Sequence, residues 1–211
     1  MTISGGITWC GVTIAWARPD DLRDFGEADL AALGASQLDR YRQLSGHRSA
    51  GFLAGRALIR DLVWQVRGHG AVTIDSQCMR CGDAHAAPRV QGVAVSVSHA
   101  DDLVVVAVST EATAVGVDVE ADSAAPRIAD LAPMFAQGGL PDLAGWTRIE
   151  AVVKADGRGI EVEPSTVQFS LDPPGVADDA TWMARLPGSP ATLRVVTLAG
   201  PSGYTLSVAR D

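Results

Sequence analysis

Cysteine, positive charge and long apolar runs are all scarce in this chain, and each scarcity removes a class of protein. Three cysteines in 211 residues are odd in number and too few for a disulfide framework, so a reducing, cytoplasmic setting is expected. The longest apolar runs, such as Leu103 to Val108, fall far short of the ~20 residues that span a bilayer. Met1 to Gly6 has no basic stretch followed by an apolar core, so no secretory signal is expected. A formal charge of −8 argues against a broad nucleic-acid surface, though not against a local basic cleft for a phosphate-rich small molecule.

What remains is an ordinary globular composition, 47% hydrophobic and 20% charged, long enough to bury a core as one domain or two joined halves. Ile7 to Ala17 reads as a strand apolar on both faces. Helical spacing runs from Glu27 to Leu44 and again from about Ser49 to Val66. Strands around Val93–Val97 and Leu103–Val108 follow, joined by a polar turn at Ala100–Asp102. The pattern then restarts. Thr113 to Glu120 reads as a strand, Pro126 to Phe135 as a short helix, and Pro141 to Asp156 as a longer one stopped by Gly157 and Gly159. Thr166–Leu171 reads as a strand, and Leu193–Leu198 with Tyr204–Ala209 as a closing hairpin. An α+β protein of two similar lobes is expected, residues 1–110 and 111–211, and a joint between lobes is a favoured place for a ligand.

Three short motifs could carry chemistry. In Gly116-Val117-Asp118-Val119-Glu120, strand alternation puts both carboxylates on one face. A magnesium ion that also holds substrate phosphates suits such a pair, although a plain half-buried strand with a wet acidic face has the same pattern. In Trp146-Thr147-Arg148-Ile149-Glu150-Ala151-Val152-Val153-Lys154, Trp146, Glu150 and Lys154 share a helix face. Glu150 could ligate a metal or take a proton, and Lys154 could neutralise phosphate; an exposed Glu–Lys pair is the plainer alternative. Ser98-His99, expected at a strand end, could meet an anionic ligand or simply be solvated.

Taken in order, Ser98-His99, Asp118-Val119-Glu120 and Trp146…Glu150-Ala151…Lys154 closely resemble the Sfp-type 4'-phosphopantetheinyl transferases. Phe52-Leu53-Ala54-Gly55-Arg56-Ala57-Leu58-Ile59-Arg60 resembles the family's first-lobe helix, and the likeness runs from about Arg48 to Ile160. The resemblance implies a magnesium-dependent enzyme, a monomer, that moves phosphopantetheine from coenzyme A to a serine of an apo-acyl or peptidyl carrier protein of a polyketide, non-ribosomal peptide or fatty-acid synthase. It implies Asp118, Glu120 and Glu150 as metal ligands, Glu150 as base, and Lys154 beside the departing adenosine 3',5'-bisphosphate. Ser98 and His99, with Arg48 or Arg56, would bind phosphates of coenzyme A. Three features depart from the family pattern: Ala86-Ala87-Pro88 stands where Gly-Lys-Pro is usual, Gly51 where a basic residue is common, and the stretch between Glu120 and Trp146, which in the family helps dock the carrier, is short.

Two other functions fit parts of the sequence. A carrier-binding module with weak or lost coenzyme A turnover agrees with Ala86-Ala87, and a magnesium-dependent pyrophosphate hydrolase would use the same carboxylates. Cys78-x-x-Cys81-x-x-x-His85 offers three zinc ligands without an evident fourth, so a plain loop is expected there.

Overall fold

A computed structural model of the chain describes residues 3–22, 24–135, 139–171 and 181–211. It is an α+β protein that divides into two units, Met1–Thr113 and Ala114–Asp211.

In the first unit, the segment expected as a single strand over Ile7–Ala17 is a hairpin. Strands β1 (Gly5–Trp9) and β2 (Val12–Ala17) pair antiparallel around Cys10 and Gly11, both at positive φ, 45° and 74°. Such a turn matches the twist of the strands it joins. The long helix expected from Glu27 to Leu44 is likewise two, α1 (Glu27–Leu33) and α2 (Ala35–Arg42). Gly34 separates them with a φ of 135°, outside the helical range. Helix α3 (His47–Arg67) lies across an antiparallel sheet of order β1-β2-β4-β3, with β3 at Ala94–Ala100 and β4 at Leu103–Ser109. Leu58, Ile59 and Leu62 of α3 are fully buried against β2 and β4 residues such as Ala15, Val104 and Val106. Each such side chain contributes about 1.5–3 kcal/mol of burial free energy.

The second unit begins with β5 (Val115–Ala121) and an extended 3-10 segment, Asp122–Phe135. Pro126 and Pro133 lie inside that segment, where a regular α-helix would lose hydrogen bonds. Helix α4 (Leu143–Asp156) follows. Asp142 caps it, its Oδ1 accepting the Gly145 N–H at 2.6 Å, and Gly157 ends it in the left-handed region at φ 82°. Strands β6 (Gln168–Leu171), β7 (Trp182–Arg185), β8 (Thr192–Leu198) and β9 (Tyr204–Arg210) complete an antiparallel sheet of order β5-β9-β8-β7-β6. β8 and β9 are the expected closing hairpin; β7 was not read from the sequence. Among the described residues, no helix is long and apolar enough to cross a membrane.

Candidate functional site

The chemistry of the second unit starts from a glycine. Gly116, Asp118 and Glu120 alternate onto one face of β5, and α4 lies directly on that face. A Cβ at residue 116 would collide with the Ala151 carbonyl oxygen and come within 2.6 Å of the Ala155 backbone nitrogen. Glycine on the strand and alanines on the helix therefore allow an unusually close approach. The face that could have been wet is covered as a result: Asp118 is 4% exposed, and only Glu120 keeps partial exposure among the central residues of the strand.

That approach delivers α4's charged residues to the strand. Lys154 Nζ donates to Asp118 Oδ1 at 2.6 Å and to the Val117 carbonyl at 3.2 Å. The Glu150–Lys154 pair is thus not a solvated surface pair. Lys154 is also the only lysine in the chain. Asp118 Oδ2 is buried and receives no hydrogen bond among the described residues. Burial pushes the Glu150 carboxyl above the ordinary carboxylate range, the Asp118 and Glu120 charges push it further, and Lys154 opposes them. One turn before Glu150, Trp146 packs edge-on against Phe135, with ring centroids 6.4 Å apart. The role of Trp146 is to seat the helix, not to line the charged group.

The donor set Asp118, Glu120 and Glu150 is all-oxygen and all-carboxylate, which fits a hard cation such as magnesium. Their oxygens are not drawn into one tight cluster. Among the described residues, the set of three with ligand atoms all within 4.8 Å of one another is Cys78, Cys81 and His85. At Asp118, the Lys154 ammonium holds part of the place a cation would take.

The first unit contains a cavity of about 460 Å³ lined by Arg40, Arg48, Arg56, His85 and His99, with no acidic residue in its wall. In a chain of charge −8, this is a local reversal of sign. Arg56 carries most of the argument. It is 7% exposed, yet its Nε donates to Gln37 Oε1 at 2.6 Å, and one terminal nitrogen reaches Ser76 Oγ at 3.4 Å. Its guanidinium lies 4.2 Å from the Phe52 ring centroid. No carboxylate pairs with it among the described residues, and burial pushes its pKa down to about 10. A buried guanidinium held only by neutral partners favours an incoming anion.

Of the residues expected to bind phosphates, the structure brings Arg48, Arg56 and His99 to this cavity and leaves Ser98 out. β3 runs through both residues, further than the strand expected from the sequence, so alternation sends Ser98 to the opposite sheet face, where it is 5% exposed. His99 lies beside α3, its Nε2 3.4 Å from the Gly51 carbonyl. A Cβ at residue 51 would stand 3.4 Å from the ring, so glycine here gives the imidazole its seat. Ala86 and Ala87 form part of the wall.

Sequence reasoning missed Arg40 and Gln37, and it weighed His85 as a zinc ligand but not as part of this wall. Gln37 is fully buried and also donates to the Ile74 carbonyl at 3.0 Å. A glutamine on the inner face of α2 was the available signal, since an amide buried there requires partners.

The loop before the cavity wall brings Cys78, Cys81 and His85 together. Cys81 Sγ and His85 Nε2 are 3.0 Å apart.

No protein-family model matches the chain, and no curated protein matches it either.

Proposed function

We propose that this protein transfers the 4'-phosphopantetheine arm of coenzyme A to a serine of an apo-carrier protein, releasing adenosine 3',5'-bisphosphate. The observation that carries this reading is the grouping of Asp118, Lys154 and Glu150 where α4 meets Gly116. The sequence resemblance assigns chemistry to those three residues, and a merely structural surface pair would not be drawn onto a covered strand. The acid-free arginine cavity supports the same reading, because coenzyme A carries three phosphate groups and the cavity offers three guanidinium groups. The two units are proposed as the family's two similar lobes. Each stacks a helix on an antiparallel sheet, and each ends in a hairpin, β3–β4 in one and β8–β9 in the other.

Asp118, Glu120 and Glu150 would hold the magnesium ion, which when bound stabilises charge developing on the pyrophosphate. The carrier serine oxygen attacks the phosphorus that bears pantetheine, and the bond from that phosphorus to the oxygen of adenosine bisphosphate breaks. Glu150 takes the serine proton as general base. Lys154 offsets the charge on the departing bisphosphate. Arg48, Arg56 and His99 bind phosphate.

A carrier-binding module with little turnover is the second reading, favoured by the uncharged Ala86 and Ala87 in the cavity wall. Intact-mass analysis of several apo-carriers incubated with protein, coenzyme A and magnesium tests both. Gain of one phosphopantetheine mass on the carrier serine supports the transferase. Carrier binding without mass gain, across the panel, supports the module and overturns the enzyme.

A further inference from the structure

Among the described residues, the Cys78–His85 loop is the one close cluster of metal-type ligands, and the proposed reaction leaves it unused. The sequence alone set it aside for want of a fourth ligand, but the folded loop adds two observations. First, its shape is closed. The Gly82 N–H donates to the Cys78 carbonyl at 2.8 Å, the Cys78 N–H to the Asp83 carbonyl at 2.8 Å, and the His85 N–H to the same carbonyl at 3.0 Å. Gly82 makes the turn at φ 81°, a conformation that favours glycine. Cys78 and Cys81 are thereby held side by side, with His85 returned to them.

Second, the His85 ring is turned to the sulfurs: its Nε2 lies 3.0 Å from Cys81 Sγ. Two sulfurs and an imidazole nitrogen on one closed loop are a donor set that a metal binds through the thiolates.

We propose that Cys78, Cys81 and His85 form a zinc site, with the fourth position taken by water. The three ligand atoms lie within 4.8 Å of one another. Tetrahedral zinc with bonds of about 2.0–2.3 Å needs separations of roughly 3.5–3.8 Å, within reach of small side-chain rotations. Two sulfurs and an imidazole nitrogen select zinc over magnesium or calcium, which prefer oxygen. His85 Nε2, the atom facing Cys81 Sγ, is the ligating nitrogen.

The site has a structural consequence for its neighbourhood. His85 and the next residues, Ala86 to Pro88, line the arginine cavity. A metal that pins His85 fixes that wall, and it holds the imidazole neutral, leaving the positive charge of the cavity to Arg40, Arg48 and Arg56. Zinc with two thiolates is itself neutral, so the loop would add no charge.

The test uses the full-length protein purified under reducing conditions. Elemental analysis is expected to give one zinc per chain. Cobalt(II) replacing it should produce a thiolate-to-metal charge-transfer band and the intense visible bands of a tetrahedral ion. Cys78→Ser and Cys81→Ser should each lower bound zinc at least ~10-fold, while Cys10→Ser should retain it. His85→Ala, which leaves both sulfurs in place, should keep the charge-transfer band but weaken zinc retention against a chelator. Wild-type protein that stays below a tenth of one zinc per chain after zinc loading and dialysis, with no cobalt charge-transfer band, overturns the proposal. So does full zinc retention in the Cys78→Ser, Cys81→Ser double variant.

Discussion

Lys154 and Asp118 meet at 2.6 Å with side chains 30% and 6% exposed, so the ammonium occupies the carboxylate that the proposed reaction assigns to magnesium. The two roles are compatible only if Lys154 gives way or shares Asp118 when the cation arrives. Because Lys154 is the only lysine, its amine can be observed directly. Reductive methylation with a carbon-13 label gives one side-chain resonance besides that of the N-terminal amine. Magnesium titration is expected to move that resonance, and Asp118→Asn should abolish the movement. A resonance insensitive to magnesium in the wild type, with or without coenzyme A, would remove Asp118 from the metal set.

Glu150→Gln should separate function from stability. It removes a metal ligand and the base together, so turnover is expected to fall at least ~100-fold. The same change should stabilise the metal-free protein at neutral pH. The Glu150 carboxyl is raised above its unfolded value, chiefly by burial. The folded state therefore binds this proton more tightly, and stability falls as pH rises from the ordinary carboxylate range through the raised value. Glutamine carries no such penalty. Thermal melts in chelator should show the variant's Tm higher by about 1–4 °C at pH 7, with the difference shrinking towards pH 4. A variant less stable than wild type at pH 7 would mean that the Lys154 attraction outweighs burial and the Asp118 repulsion.

Gly116→Ala tests the close approach that builds the site. The added methyl meets the backbone of Ala151 and Ala155, which cannot swing aside as a side chain would, so α4 has to lift. Overpacking of this kind typically costs about 1–3 kcal/mol, read as a lower midpoint in urea. Turnover should fall as well, since the lift carries Lys154 and Glu150 away from Asp118. Unchanged stability would show that strand and helix are not in the contact described.

How much of this the residues disclosed depends on the range of the interaction. The α4 boundaries were legible because Asp142, Gly157 and the apolar spacing are local signals. The β1–β2 turn at Cys10-Gly11 and the break at Gly34 were passed over, because a glycine inside a favourable pattern does not announce its φ. Asp118, Glu150 and Lys154 were legible as a motif, but their burial was not. It follows from a helix-on-strand contact that neither segment specifies alone. Ser98 was misplaced for a reason of register: continuing the strand through Ser98, His99 and Ala100 turns neighbours in sequence into residues on opposite faces. Gln37 and Arg56 lie nineteen positions apart, and nothing local pairs them.

Ala87 stands in the arginine cavity's wall, where the family resembled by this sequence usually has lysine. A positive charge there would meet phosphates that are present equally in the substrate and in the transition state, so it should change uniform binding more than the chemical step. A charge-assisted contact contributes about 1.5–3 kcal/mol when well formed, and less for a flexible point-charge lysine at a wet site. Arg40, Arg48 and Arg56 already face the same space, so the added charge finds a partly neutralised ligand. A net effect of about 1 kcal/mol follows, and Ala87→Lys is expected to lower the KM for coenzyme A roughly 5-fold with kcat nearly unchanged. The control is Arg48→Ala, which should raise KM by a comparable or larger factor in the same assay. If Ala87→Lys leaves KM unchanged while Arg48→Ala raises it, the arginines alone satisfy the phosphates. If neither moves KM, coenzyme A does not use this cavity. A sharp rise in kcat would mean that a lysine here acts on the reacting phosphate, and that Lys154 is not alone in offsetting the charge of the leaving group.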